Sequence, residues 1–437
     1  AIAQKKDSII GLNEVIVSSE KPITISNDTI NFKTNFFTNG TEQNVEDLLK
    51  KIPGLSVDSQ GTIKVGNQEI EKLMVDGDDL FERGYKVLSK NMPAYPIEEV
   101  EILKNYSNNR LLKGIEESNK VALNLKLNEK SKRIWFGNFT LGYGLVSENR
   151  YELKGNLMNF GKKNKYYFLT NLNNTGSDAI GDVQNLVRPF RFNEPGVIGD
   201  NVTINSMIGL YGSIPNFKRA RSNFNNAELL SLNAIFNPTE KLKIKTLAFF
   251  NSDETRFFRN ATETVNVNTI DFTNSEEYQL NNKNKLGFGK LDFIYSISKT
   301  KSLEATTKYN SGIENNGTNL NFNGLSTVES LANNNSLFDQ KITYSNKFKD
   351  KKVFLLTTRY LQEESPQNYT VNQFLFEDLF SNSNTNNVRQ TIKNKLQYFG
   401  VNAHLLDRRE NDDLVEVQVG NAYRNDKLNT AFELLED

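Results

Sequence analysis

The stretch LLKKIPGLSVDSQGTIKVGNQEIEKLMVDGDDLF, residues 48–81, decides the fold of the first part of the chain. It starts with apolar residues at helical spacing, and the pair Pro53-Gly54 then ends the helix. Short apolar pieces separated by Gly and Asp follow, which predict short strands joined by turns. With a helix start predicted at Thr41, the pattern indicates a compact α+β unit over residues 41–130.

Beyond residue 131 the pattern changes to a period of two. Leu291, Phe293 and Tyr295, for example, alternate with Lys290 and Asp292. About eleven such segments follow one another, each about ten residues long, which is the length of a tilted membrane-spanning strand. They lie near 134–145, 150–160, 165–174, 226–237, 241–252, 285–298, 301–312, 335–347, 352–363, 392–407 and 413–423.

The connections between these segments alternate between short polar links and long Asn-rich stretches such as 175–225. Outer-membrane β-barrels have short periplasmic turns and long outer loops, whereas a soluble sandwich has no reason to sort its loops. The sequence therefore favours an antiparallel transmembrane β-barrel over a soluble β protein. Because a bacterial single-chain barrel needs an even strand number, we expect further strands from a longer chain or from another chain.

Composition excludes several kinds of function. The chain has 53 basic and 53 acidic residues and a formal net charge of +0, which argues against nucleic acid as a partner. It has no cysteine and one histidine, His404, so thiol chemistry and His-rich metal sites are not expected. No nucleophile–base set or metal cluster is visible, and we predict neither an enzyme nor a cofactor.

Some polar and aromatic clusters have two interpretations each. Asp76, Asp78 and Asp79 offer oxygen ligands for calcium, or form an Asp-Gly turn with solvated neighbours. Basic residues of one long connection form an anion site or an ordinary solvated loop: Arg188, Arg191, Lys218, Arg219 and Arg221. Aromatic residues near the turns form a periplasmic girdle or reflect β-propensity: Trp135, Phe136, Tyr166 and Tyr167.

The motifs of the first 130 residues resemble those of TonB-dependent outer-membrane receptors, most closely receptors of Bacteroidetes type. NVEDLLKKIPGLSV (44–57), EKLMVDGDDL (71–80) and IEEVEILKN (97–105) resemble segments of the plug domain of that family. LNEVIV (12–17) resembles the Ton box, which pairs as a strand with TonB. The usual glycine-rich stretch of the plug is replaced here by LLKGIEESNKVALNL, residues 111–125.

The resemblance implies a plug domain ahead of about half of a roughly 22-stranded barrel. The expected divisions are a periplasmic segment (1–40), the plug (41–130) and the first half of the barrel (131–437). The expected partners are a TonB-like energy-coupling protein, outer-membrane lipid and, in some assemblies, other outer-membrane proteins. The residues expected to bind the TonB-like protein are Leu12, Asn13, Glu14, Val15, Ile16 and Val17.

The function implied is active uptake of an unidentified ligand across the outer membrane, with the plug and the N-terminus on the periplasmic side. Two alternatives remain open. One is a plugged barrel that transports nothing and acts as a scaffold for partner proteins. The other is a soluble, secreted β-rich adhesin.

Overall fold

The computed structural model describes a small mixed unit followed by one large antiparallel sheet. The described residues are 20–58, 61–145, 148–161, 163–177, 179, 194–210, 224–267, 270–349, 351–373 and 387–435. Residues 12–17, the predicted Ton box, lie outside them. Among the described residues, no helix is both long enough and apolar enough to cross a membrane.

The small unit spans residues 20–127 and is called the N-terminal unit below. Its helices are α1 (Val45–Leu49) and α2 (Tyr85–Asn91). Its strands are β1 (Ile23–Ser26), β2 (Thr29–Lys33), β3 (Leu55–Val57), β4 (Ile63–Val65), β5 (Gln68–Glu69), β6 (Lys72–Val75), β7 (Asp78–Asp79), β8 (Ile97–Leu103) and β9 (Ala122–Leu127). They form a six-stranded sheet in the order β1-β2-β8-β9-β6-β7 and a three-stranded sheet β3-β4-β5.

Two details of the N-terminal unit differ from the sequence expectation. Strand β2 pairs with β8, so the sheet includes residues assigned by sequence to a separate segment 1–40. Helix α1 begins at Val45 and not at Thr41, because the Asn44 side chain caps it by accepting a hydrogen bond from the Asp47 N–H at 3.0 Å. The Thr41 hydroxyl instead donates to Asn39 within the preceding loop.

The large sheet contains the remaining strands. They are β10 (Trp135–Gly144), β11 (Arg150–Phe160), β12 (Asn164–Asn173), β13 (Phe224–Thr239), β14 (Leu242–Val267), β15 (Ile270–Tyr295), β16 (Lys301–Phe322), β17 (Leu325–Phe348), β18 (Lys352–Glu364), β19 (Gln367–Val371), β20 (Val388–Arg408) and β21 (Leu414–Leu434). Strands that lie side by side in this sheet pair in antiparallel fashion, and β10 and β21 form its two edges.

Strands β18 and β19 are consecutive pieces of one strand, because both pair with β17 on one side and with β20 on the other. The interruption falls at Ser365-Pro366, where proline cannot donate a ladder hydrogen bond. The twelve strand segments therefore fill the eleven positions that the alternation predicts.

Several strands are much longer than predicted. Strands β14 and β15 have 26 residues each and pair from Leu242↔Tyr295 out to Val267↔Ile270, so most of the expected long connection is a hairpin. Strands β16 and β17 likewise continue to a turn at Asn323-Gly324. Both turn residues have positive φ, +52° and +85°, as a type I′ hairpin requires. The prediction of long loops after these strands is wrong, because polar Asn-rich segments also pair when the backbone ladder continues.

The two faces of the large sheet differ as the alternation predicts. On one face, Lys290 is only 8 % exposed, whereas Leu230 on the other face is 62 % exposed. The first face is covered by the N-terminal unit and is called the inner face below. One continuous cluster of buried apolar side chains joins the two, and it includes Leu80 and Phe81 of the N-terminal unit and Leu229 and Phe249 of the sheet.

Candidate functional site

The candidate site is the contact between the N-terminal unit and the inner face, and it starts from a tight turn. Val75 pairs with Asp78 across the two-residue loop Asp76-Gly77. Both loop residues have positive φ, +46° and +77°, which matches a type I′ turn and explains the Asp-Gly sequence. This turn carries the acidic residues of β7 to the inner face.

Asp78 binds two lysines of the large sheet. Its Oδ2 lies 2.7 Å from Nζ of Lys165 on β12, and its Oδ1 accepts a short hydrogen bond from Lys243 on β14. Lys165 Nζ also donates to the main-chain oxygen of Val75 at 3.0 Å. With Asp78 only 6 % exposed, this is a buried and hydrogen-bonded set of charges.

Two more acidic residues extend the set along the inner face. Asp79 forms an ion pair with Lys72 at 2.9 Å inside the N-terminal unit, and its main-chain oxygen accepts from Lys245 of β14 at 3.2 Å. Glu82 pairs with Lys290 of β15, which also lies 2.8 Å from Asp292. Asp78 and Asp79 are therefore buried ion-pair residues, and the expectation of solvated neighbours beside the turn is wrong.

Two carboxyl groups of the N-terminal unit, those of Asp78 and Asp79, have lowered pKa values. Burial alone would raise the pKa of the Asp78 carboxyl, but Lys165 and Lys243 outweigh burial and hold the pKa below its ordinary value. Burial likewise opposes ionisation of Asp79, and Lys72 and Lys245 again outweigh it and lower the pKa. Both carboxylates therefore stay charged well into the acid range.

Acidification should weaken the binding of the N-terminal unit to the inner face of the large sheet. Because the pKa of Asp78 is lower in the folded than in the unfolded chain, its ion pairs contribute stability above the ordinary carboxyl pKa of about 3.9. That contribution is lost as pH falls through the folded-state pKa. We expect the urea midpoint of the N-terminal unit, measured by pulse proteolysis at pH values from about 7 down to about 2, to fall more steeply below about pH 5 for the parent than for Asp78→Asn. Parallel curves for the two proteins would contradict the assignment.

An aromatic contact lies beside the charges. The Phe81 and Tyr167 rings meet edge to face with centroids 5.0 Å apart, and both are almost fully buried. The Tyr167 hydroxyl has no hydrogen-bond partner among the described residues. Burial of Phe136 and Tyr167 on the inner face also removes them from the girdle interpretation, whereas Trp135 stacks on Tyr166 on the exposed side, with centroids 5.9 Å apart.

Residues 109–115 of the N-terminal unit are anchored at the same end of the sheet. The Arg110 guanidinium donates to the main-chain oxygens of Ser298 and Lys299, both at 2.9 Å, in the turn between β15 and β16. The Asn109 amide donates to the Ser345 hydroxyl at 2.9 Å. A second apolar cluster joins this segment to β18 and β20, and its buried members are Leu111, Leu112, Ile115, Val353, Leu355 and Leu406.

A polar cleft of about 960 Å³ opens beside the Asp76-Gly77 turn, between the N-terminal unit and the turn that joins β11 to β12. Its lining combines Lys126 and Lys132 with Asp76 and Glu129. Among the described residues, no group of three or more His, Asp or Glu side chains is arranged to hold a metal ion. This arrangement of charges suits reversible electrostatic binding of the N-terminal unit to the inner face of the large sheet, which is called seating below.

Some predicted site residues lie outside the described part of the chain. These are the Ton-box residues 12–17 and the basic residues Arg188, Arg191, Lys218, Arg219 and Arg221. The alternation of apolar and polar residues predicts that Lys243, Lys245, Lys290 and Lys308 share one face of the sheet, and the structure places all four on the inner face. Sequence analysis did not single out Lys165. The available signal was the alternation of Lys165 on the inner face with Tyr166 and Phe168 on the opposite, exposed face.

No family model matches the chain, and no curated protein matches it. Solved structures similar to it include the FpvAI–pyocin S2 complex, at 11% identity and TM-score 0.38, covering 95% of this chain and 54% of that one. The ferripyoverdine receptor of the outer membrane of Pseudomonas aeruginosa gives 12% identity and TM-score 0.37, covering 95% and 54%.

The copper transporter OprC gives 11% identity and TM-score 0.32, covering 92% of this chain and 60% of that one. The chain thus spans about half the length of the first two structures. Because all three TM-scores are low, we base the functional proposal on the residues of this chain.

Proposed function

We propose that the chain is part of a TonB-dependent outer-membrane receptor that takes up a ligand actively. In this proposal the N-terminal unit is the plug, and the large sheet is part of the wall of a transmembrane barrel. The ligand is not identified, and no covalent chemistry or cofactor takes part.

The observation that carries the proposal is the buried set of ion pairs between Asp78 and Glu82 of the N-terminal unit and Lys165, Lys243 and Lys290 of the wall. Charged side chains recover hydration when they separate, so such an interface can open at less cost than an apolar core of the same area. These charges therefore suit a plug that is displaced and reseated.

The position of the N-terminal unit supports its assignment to the periplasmic side. Lys165 and Lys243 lie within two residues of the short links that precede β12 and β14, and Arg110 binds the turn between β15 and β16. At the opposite end the β14–β15 and β16–β17 hairpins extend much farther, as the outer side of an outer-membrane barrel does, whereas the periplasmic side has only short turns. The chain upstream of β1 is then available to a TonB-like protein in the periplasm.

The proposal is tested at the predicted Ton box, residues 12–17. Strand addition depends on main-chain hydrogen bonds, so Val15→Pro, which removes a donor, should abolish binding, whereas Val15→Ala should retain it. The measurement is pull-down of the full-length receptor with the periplasmic domain of a TonB-like protein from the same organism. Retained binding by both variants would remove residues 12–17 as the coupling strand.

One observation favours the scaffold alternative. Residues 194–210 lie along the inner face of the large sheet, where a transported ligand would have to pass. A segment fixed there permanently would suit a plugged barrel that only presents a surface to partner proteins. Energy-dependent uptake that is lost in Val15→Pro would decide for the transporter.

A further inference from the structure

Residues 194–210 cross to a distant part of the large sheet. They belong to the connection between β12 and β13, yet they contact β17 to β20 on the inner face. We call this segment the strap. Three of its apolar side chains, Ile198, Val202 and Ile204, pack on a buried wall cluster made of Leu337, Leu361, Leu396 and Tyr398.

Polar groups of the wall fix the strap along its length. The Arg359 guanidinium donates to the Ile198 main-chain oxygen at 2.9 Å, forms an ion pair with Asp200, and makes two 2.8 Å hydrogen bonds to the wall residue Asp339. Farther along, the Gln367 side-chain oxygen accepts from the N–H groups of Met207 and Ile208, at 2.9 and 3.2 Å.

The beginning of the strap rests on His404. The Gly196 N–H donates to Nδ1 of His404 at 3.2 Å, so Nδ1 carries no proton and the proton of the neutral ring is on Nε2. Gly196 has φ +76°, and a Cβ there would come within 3.1 Å of Leu355. The backbone therefore approaches the imidazole closely at a position that suits only glycine.

A carboxylate lies beside the other ring nitrogen of His404. Its Nε2 lies 3.3 Å from Oε2 of Glu416 on β21, without the geometry of a hydrogen bond. Glu116 of the N-terminal unit interacts electrostatically with both Glu416 and Glu194, and Glu194 at the start of the strap pairs with Lys120 at 2.6 Å. The carboxylate beside the imidazole is therefore that of Glu416, and Glu116 links it electrostatically to Glu194 of the strap.

We propose that His404 is a proton-sensitive catch and that its protonation releases the start of the strap from the inner face. A second proton on the ring must go to Nδ1, which then becomes a donor facing the Gly196 N–H donor. The same proton gives the ring a charge that Glu416 stabilises. Protonation therefore breaks the contact on the strap side while strengthening the contact on the wall side.

The test measures the distance between the strap and the wall as a function of pH. The chain has no cysteine, so Val197→Cys, next to Gly196 at the start of the strap, and Glu410→Cys in the turn between β20 and β21 give two unique spin-label sites. We expect double electron–electron resonance on the full-length protein in lipid to give one narrow distribution of distances between the two spin labels at about pH 8. At about pH 5.5 the distribution should broaden and shift to other distances.

Three variants separate this catch from a general effect of acid. His404→Gln keeps an acceptor but cannot be protonated near neutral pH, so it should retain the narrow distance at both pH values. Glu416→Gln should move the midpoint to lower pH, because it removes the carboxylate that stabilises the charged ring. Arg359→Lys should loosen the strap at both pH values and keep the dependence on pH.

A parent distance that does not change with pH would overturn the proposal. So would an unchanged acid response in His404→Gln, which would assign the titration to the carboxylates Asp200 and Glu363 instead. The test needs no transported ligand and no TonB-like protein, and therefore stands or fails separately from the proposed uptake function.

Discussion

Replacing Lys290 with methionine should reduce the stability of the seated N-terminal unit by about 3–5 kcal/mol. The lysine is 8 % exposed and lies between Glu82 of the N-terminal unit and Asp292 of its own strand. Methionine keeps the length of the side chain but leaves two partly buried carboxylates without their common cation. The measurement is the urea midpoint of the N-terminal unit by pulse proteolysis in detergent micelles.

Lys283 provides the matched control on the same strand. Its side chain is 55% exposed, and its nearest carboxylate, on Glu254, is 3.6 Å away, so Lys283→Met should cost less than about 1 kcal/mol. The double variant Lys290→Met with Glu82→Gln should recover part of the loss, because one of the two uncompensated charges is gone. Equal midpoints for Lys290→Met and Lys283→Met would show that these charges do not hold the unit in place.

The local structure of the N-terminal unit follows closely from its sequence. Asp76-Gly77 is a short-range turn signal, and the structure has the corresponding two-residue hairpin loop there. The cap at Asn44 shows the limit of such signals, since Thr41 and Asn44 are both acceptable helix starts and the loop hydrogen bond of Thr41 decides between them. Helix boundaries of this kind depend on the tertiary neighbours of the loop.

The long hairpins of the large sheet show a signal that strand patterning misses. Where β16 ends and β17 begins, apolar and polar residues do not alternate over a long stretch, and the pattern therefore indicates a loop. Asn323-Gly324 nevertheless marks a type I′ turn, and it fixes a hairpin whose polar strands pair through the backbone ladder and through side-chain hydrogen bonds such as that from Thr318 to Glu329. Weighting this dipeptide above hydrophobic alternation would have placed the turn correctly.

The candidate site was only partly predictable, because its two halves are far apart in the chain. Alternation places Lys243 and Lys290 on the inner face, and the turn signal places Asp78 beside a strand. Their pairing depends on the registers of two separate sheets, which no local pattern specifies. The strap was hidden for the same reason: Gly196 and His404 are 208 residues apart, and nothing near either residue indicates the other.

Phe81→Ala should also have a large effect, since it removes the ring that joins the two units next to the ion pairs. Phe81 is 2 % exposed and meets Tyr167 edge to face, so truncation leaves a cavity and should cost about 3–5 kcal/mol in the stability of the seated unit. Phe139→Ala is the matched control, because Phe139 is 69 % exposed on the other face of the sheet and its removal opens no cavity. Both are measured by the same urea midpoint.

Two substitutions of Tyr167 separate the contribution of the ring contact to stability from that of the hydroxyl group. Because its buried hydroxyl has no partner among the described residues, Tyr167→Phe should leave stability unchanged or raise it by about 1 kcal/mol, whereas Tyr167→Leu should lower it by losing the edge-to-face contact. A loss in Tyr167→Phe as large as in Tyr167→Leu would mean that the hydroxyl binds a group inside the interface. The unit would then be held there by a polar contact as well as by packing, and the effect of Phe81→Ala would have to be divided between the two.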